Sequence, residues 1–372
     1  MKVKEQLKKT VISVCSTALL IGIGMVGVHA VTVEVGDFTV DRSYSYGSYT
    51  TKIKAYNGAG GDIVLPESAD FSGTVYPITE VGNAFKEYIE EKTKGDVEIQ
   101  CFYSGSLGDE SECLRNVQKG TLPMAMAGIA NLVPFEKKLG LLTLPYLFSN
   151  IDEVVTGTNS APAELLNSYA TKSGFRILTW TYTDFRYISN AKRPITKMAD
   201  MQGLKFRVPQ SAVLIAAYKA FGGSPTPISW AETFTALQQG VVDGQCYGYI
   251  GFKANKFNEA NQKYLTEVHY TYQLQPLVIS ERVFKKMTPE MQKVIVDAGK
   301  YAQDAVLKFQ LENAEAAKKE LIAGGLVVSQ LEDEDLWKKA AIEKVWPEMA
   351  DFVGGKDAIN EYLKACGKDA WK

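Results

Sequence analysis

Residues 203–245 read GLKFRVPQSAVLIAAYKAFGGSPTPISWAETFTALQQGVVDGQ, and the alternation of strand and helix in this run decides the fold. Leu204, Phe206 and Val208 recur at period two, so they share one face of a strand while Lys205 and Arg207 share the other. Pro209 removes the next N–H donor and ends the pairing there. Alternation alone turns both charges to water, but Arg207 sits near the carboxyl end of its strand, where open α/β sheets build ligand crevices. Downstream, Ser229 and Glu232 have capping-box spacing, which starts a helix at Trp230 and stops it at Gly240 before the strand VVDGQ. Trp230 therefore falls on a first turn, either as a stapling core aromatic or as a lid over a ligand.

The same alternation extends outward. VEIQCFY (97–103), MAMAGIA (124–130), LLTLPYLF (141–148), FRILTWTY (175–182), VVDGQCY (241–247) and QPLVIS (275–280) read as strands separated by helical segments, which predicts an α/β fold with mostly parallel sheets. TKIKAY (51–56) reads as a first core strand and residues 57–77 as a long loop, while residues 31–50 read as a short strand, hairpin or ordered tail. Val81, Phe85, Tyr88 and Ile89 mark an amphipathic helix ending near Gly95, and ESECLRNVQKG a second with its glycine stop. Thr288 as N-cap, Pro289 at the first helical position and apolar residues from Met291 to Phe309 predict a long helix running to Gly324-Gly325. At 1.5 Å per residue it would reach about 50 Å, longer than one domain, so it would lie along both.

The N-terminus carries Lys2, Lys4, Lys8 and Lys9 before an apolar run from Val11 to Val28 that ends in Val28-His29-Ala30. This is the pattern of a secretory signal peptide with cleavage after Ala30; Gly22, Gly24 and Gly27 argue against a membrane anchor. Losing residues 1–30 takes four of the 41 basic and one of the 43 acidic residues, leaving 37 against 42. That mildly acidic balance lacks the basic field nucleic-acid binding requires. With 46% hydrophobic residues and about 340 residues left, two cores are expected, since single cores seldom grow past about 250 to 300 residues. Cys101, Cys113, Cys246 and Cys366 are too sparse for a disulfide framework; Cys101 with Cys113 is the pair to test as a bridge, with unpaired thiols the other reading.

Several chemistries are withheld. His269, in TEVHYTYQ, is the one histidine beyond the signal segment and reads as packed or edge-strand, so a histidine triad or multi-histidine zinc site lacks its reagents. There is no nucleophile elbow and no phosphate loop, and the single G-x-G-x-x-G, Gly22 to Gly27, lies in the signal segment. Carboxylates are plentiful, so an acid-pair hydrolase stays open.

The 203–245 run, together with GSLGDESECLRNVQKGTLPMAMA (105–127), LTLPYLF (142–148) and SNAKRPI (189–195), resembles the solute-binding proteins of tripartite ATP-independent periplasmic (TRAP) transporters, over about residues 79–325. The resemblance implies a periplasmic binding protein fold of two α/β lobes closing on a small organic anion, divided as 31–183 plus 273–312 and 184–272 plus 313–372. It implies that Arg207, in the K-x-R-V-P run, grips the ligand carboxylate, that Arg186 is a second arginine as in sialic-acid-binding members, and that Trp230 supplies an aromatic wall. Glu110 matches a ligand-contacting position of some members, though a solvated helix-start acid is the alternative. After Asp243-Gly244-Gln245 the family commonly continues Glu-Asn-Pro, whereas here stand Cys246, Tyr247 and Gly248. Gln245 and Tyr247 then face the ligand, and Tyr247 reshapes a pocket that takes another carboxylate or a sulfonate. The implied protein is a periplasmic monomer that needs no cofactor or metal, binds no nucleic acid and delivers its solute to the membrane subunits of a TRAP permease. An exported sensory module remains a third reading.

Overall fold

The computed structural model describes residues 28–35, 38–45, 63–66, 77–102 and 107–372. The expected strand 51–56, most of the 57–77 loop and most of the signal segment lie outside the described residues. Strands run in chain order as β1 (Val28–Val35), β2 (Phe38–Ser45), β3 (Ile63–Pro66), β4 (Ile99–Phe102), β5 (Met124–Met126), β6 (Phe175–Phe185) and β7 (Ile188–Asn190). They continue as β8 (Lys205–Val208), β9 (Ser224–Pro227), β10 (Gly244–Cys246), β11 (Tyr264–Glu267), β12 (Tyr272–Ser280) and β13 (Val327–Gln330).

Two sheets organise two lobes. One has the order β5-β12-β6, with the parallel pair β3–β4 beside β5; the other is six-stranded, in the order β13-β11-β7-β10-β8-β9. The sheets are mixed rather than mostly parallel, because β12 runs antiparallel to both its neighbours and β7 to both of its own. The cause is topological. The chain passes between lobes at residues 186–187, from β6 to β7, and returns at 268–271, from β11 to β12, so the outgoing and returning strands lie side by side in opposite directions. β1 and β2 form a separate antiparallel hairpin, in agreement with one reading of residues 31–50.

Two local expectations are corrected, and one left open is decided. The partner of β4 is β3, inside the stretch expected to be loop. The segment LLTLPYLF is no strand: Lys137–Thr143 is a 3-10 helix burying Leu139, Leu141 and Leu142, and Tyr146 follows Pro145 with φ of 59°. A short apolar run does not by itself distinguish a buried strand from a buried helical turn. Cys101 and Cys113 are both free thiols.

The long helix spans Pro289–Ala323, 35 residues, with the Thr288 hydroxyl accepting from Met291 N. It packs against the Pro77–Lys92 helix and β6 on one side and against the Tyr249–Ala254 helix on the other, bridging both lobes. Its closest approach is at Gly299, where an added Cβ would lie 2.2 Å from the backbone oxygen of Leu178. Gly299→Ala is therefore expected to lower stability by about 1 to 3 kcal/mol through overpacking, although alanine is favoured in a helix interior by about 1 kcal/mol. Urea unfolding checks the sign, and a more stable variant would show that this face is not docked on β6.

The C-terminal segment contacts both lobes. Trp337 packs on Phe221 at 4.7 Å, whereas Trp346 Nε1 donates to Pro145 O, Tyr362 OH to Gly157 O and Lys368 Nζ to Leu147 O. Among the described residues no helix is long and apolar enough to cross a membrane, and no group of three His, Cys, Asp or Glu side chains is arranged to hold a metal ion.

Candidate functional site

The register of the six-stranded sheet assembles the site. Gly244 of β10 stands opposite Phe206 of parallel β8 and opposite Asn190 of antiparallel β7, while Cys246 faces Ile188. The carboxyl ends of β8 and β10 thus meet the amino end of β7 at one edge. Arg207, Cys246 and Arg186 converge there, where crevices of α/β sheets form. The chain crosses to the other lobe at this same edge, so the crevice lies between the sheets.

The cavity has a volume of about 460 Å³. Arg186, Arg207, Trp230, Tyr247 and Glu110 all line it, so five of the six expected residues are brought together. Gln245 is not among the lining residues: it is fully buried in β10, and its Nε2 donates to Ser189 Oγ at 3.2 Å across to β7. Tyr247, two residues on, lines the cavity because it stands past the end of β10, where strand alternation no longer sets the direction of a side chain.

Arg207 is 3% exposed, whereas Lys205, on the same face of β8, is exposed. The difference arises at the strand end, where the Trp230–Gln238 helix comes over Arg207. Its Nε donates to Ile228 O at 3.0 Å and its guanidinium carbon lies 5.4 Å from the Trp230 ring centroid, a cation–π approach. The terminal nitrogens have no hydrogen bond among the described residues. Burial pulls its pKa down to about 10, with Arg186 acting in the same direction and Cys246 and Glu110 opposing. Arg186 stands in the crossing between β6 and β7, its backbone N–H held by Thr271 O and its Nη1 3.6 Å from Cys246 Sγ.

Trp230 and Tyr247 stack with centroids 5.0 Å apart at 34°, forming an aromatic wall. The helix begins at Trp230 as expected, but the capping box is not built. Ser229 Oγ donates to Glu232 Oε2 at 2.6 Å, and no side chain caps the backbone at Ser229. The indole Nε1 of Trp230 is buried without a partner among the described residues. Opposite, Glu110 opens the Glu110–Lys119 helix after its N-cap Asp109 and accepts a hydrogen bond from Asn131 Nδ2.

Gln273 and Gln275, on β12, also line the cavity, and sequence reasoning missed them. Each is 5% exposed and each has an Oε1 without a hydrogen-bond partner among the described residues. The available signal was two glutamines at period two in a strand that is otherwise buried and apolar. His269 does not line the cavity; it packs edge-on against Phe185 at 4.9 Å and donates its backbone N–H to Glu334, as a packed histidine should.

Buried unpaired polar atoms cost free energy unless something binds them. Two lobes joined by crossing strands, with guanidiniums and unpaired amide oxygens gathered at the cleft, define the bacterial solute-binding proteins as a class. The chain belongs to bacterial extracellular solute-binding protein family 7, whose family model matches residues 71–352. This is a family of solute-binding proteins, not of enzymes.

Relatives agree. A solute-binding protein of Verminephrobacter eiseniae is 34% identical over 59% of this chain, and the match spans 65% of that relative's length, just under two thirds. The 2,3-diketo-L-gulonate-binding periplasmic protein YiaO of Escherichia coli is 29% identical over 76% of this chain and 84% of its own. A TRAP periplasmic solute binding protein from Polaromonas, solved with D-erythronate, is 29% identical over 82% of this chain and 97% of its own, with a TM-score of 0.74.

Proposed function

We propose that this chain captures a small hydroxylated monocarboxylate between its lobes and delivers it to a TRAP-type membrane permease. The observation that carries this reading is Arg207, buried at 3% exposure with its terminal nitrogens unbonded and facing the cavity. A guanidinium is a rigid two-pronged donor that stays charged when desolvated, matched to a carboxylate. The unpaired oxygens of Gln273 and Gln275 suit ligand hydroxyls, the Trp230 indole N–H suits an acceptor, and Glu110 beside two arginines disfavours a second ligand charge. A volume of about 460 Å³ falls in the range of small-molecule sites, roughly 300 to 1,000 Å³. The relatives that bind 2,3-diketo-L-gulonate and D-erythronate are of the same chemical class.

In this reading the crossings at 186–187 and 268–271 are the hinge. The lobes divide as 31–183 with 273–312 and 184–272 with 313–372, except that the Lys356–Ala365 helix travels with the first lobe, to which Tyr362 binds it. Closure excludes water and strengthens the arginine contacts. The protein acts as a periplasmic monomer released after Ala30, without nucleic acid, and returns its ligand chemically unchanged.

A thermal-shift screen of residues 31–372 against D-erythronate, D-gluconate, D-glucuronate, succinate, methanesulfonate and glucose tests this. A ligand at 100 times its Kd stabilises by about 2.7 kcal/mol. The hydroxylated monoacids are expected to raise Tm most. A larger shift with glucose than with any acid would sink the reading, and turnover of the bound acid would favour a hydrolase.

A further inference from the structure

Cys246 occupies the position that closes β10, fully buried beneath the cleft. The groups that face it come from every neighbouring element: Arg186 at the crossing before β7, Arg207 on β8, Tyr218 on the Ala212–Ala220 helix and Tyr270 ahead of β12. Tyr270 OH donates to Tyr218 OH at 3.4 Å, and the two hydroxyls stand beside the sulfur, where they favour its charged form. Two guanidiniums share this site, and among the described residues neither is paired with a carboxylate. Two buried like charges are costly; Glu110 across the cavity offsets Arg207 in part, and the sulfur, 3.6 Å from Arg186 Nη1, is the ionisable group in direct contact with the pair.

We propose that Cys246 is the resident counter-ion of the arginine pair, a thiolate in the ligand-free protein that takes one proton from solvent when an anionic ligand occupies the guanidiniums. The neighbours favour the charge. Burial pushes the Cys246 thiol up, but Arg186, the Tyr270 hydroxyl, Arg207 and Tyr218 together hold it below the ordinary thiol value. Its relatives in the chain behave oppositely: burial pushes Cys113 up to about 11 and also raises Cys366. A ligand carboxylate brought onto the same two arginines repels the thiolate and competes for their hydrogen bonds, so the sulfur's proton affinity rises and capture draws a proton. The site then accepts an anion without gathering a second net negative charge. Only the proton-uptake half rests on the anion-binding reading above; the counter-ion half concerns the ligand-free protein.

Thiolate absorbance near 240 nm, taken as the difference between the native protein and Cys246→Ser, isolates this sulfur from Cys101, Cys113 and Cys366. The difference is expected at pH 7.5 and should titrate with a midpoint below the ordinary thiol value of about 8.5. A difference that appears only above that value overturns the counter-ion. D-erythronate is then expected to bleach the signal, and calorimetry in Hepes and in Tris should give heats that differ by uptake of up to about one proton per ligand, a dependence lost in Cys246→Ser. Binding with unchanged absorbance and equal heats overturns the coupling. If D-erythronate gives no heat, the ligand assignment fails and the ligand-free titration alone decides the counter-ion. Should Cys246→Ser not fold, the native protein's titration against the urea-unfolded chain shows whether one thiol ionises early.

Discussion

Arg207→Ala is expected to weaken binding of the ligand by about 2 to 5 kcal/mol, a loss of roughly 30-fold to several thousand-fold in Kd, since the partner charge is left buried and unpaired. The magnitude follows from burial. At 3% exposure Arg207 stands in a site shielded from water, where a charge pair with a bound anion would be worth several times its surface value. Arg186 keeps the loss from being total, because it lines the same cavity. The fold should survive, since Arg207 contributes one hydrogen bond to Ile228 O and its removal relieves repulsion with Arg186. Stability and affinity are thus expected to part company: Tm without ligand unchanged or raised, calorimetric affinity strongly reduced. Arg207→Lys should fall between, having a charge but no second prong. Undiminished affinity in a folded Arg207→Ala protein would remove this side chain from the binding site.

The architecture was legible where sequence periodicity and caps agreed. Thr288, Pro289 and the spacing of apolar residues gave the long helix its start and its 35-residue span, because each signal acts within one or two turns of chain. Likewise Phe206 and Val208 are fully buried, as alternation required. The antiparallel course of β7 and β12 was not legible, because the direction of a strand in its sheet depends on where the chain crosses between lobes, and no local pattern encodes a crossing. Leu141, Leu142 and Leu144 misled for a different reason: all are buried, and burial on every side erases the periodicity that separates strand from helix.

The site divided in the same way. Alternation in β8 made Lys205 and Arg207 equivalent, yet one is in water and the other at 3% exposure, because the Trp230 helix covers only the strand's end. That cover depends on contacts more than twenty residues apart in the chain. Family resemblance supplied what periodicity could not, and it placed Arg186, Trp230, Tyr247 and Glu110 at the cavity. Gln245 does not line the cavity: it stands inside β10 and binds Ser189 across to β7, whereas Tyr247 stands past the strand's end. Gln273 and Gln275 escaped because glutamine in a strand carries no chemical signature until its neighbours are known to leave its oxygen unpaired.

The second large effect concerns pH and lies near the end of β6. Asp184, near the end of β6, is 8% exposed, and burial pushes its carboxyl up to about 7, against the hydrogen bond that Phe185 N–H donates to its Oδ1, with Glu267 adding to the rise. A carboxyl whose pKa is raised on folding is held more tightly protonated in the native state than in the unfolded chain. Its stabilising contribution is fully present below the unfolded value of about 4 and is lost as pH rises through about 7, a total of about 4 kcal/mol at 1.36 kcal/mol per pH unit. Asp184→Asn abolishes this titration. The stability of the variant minus that of the native protein should therefore climb by about 4 kcal/mol between pH 4 and pH 8, whatever constant offset the amide introduces. Other groups titrate in the same window, among them His269, raised by its hydrogen bond to Glu334, and Glu267, whose burial is outweighed by hydrogen bonds from Lys318 and Tyr249 that lower it. They are present in both proteins and largely cancel in the difference. Urea unfolding at pH 4, 5, 6, 7 and 8 measures it, and parallel curves would mean that Asp184 is ionised in the folded protein throughout.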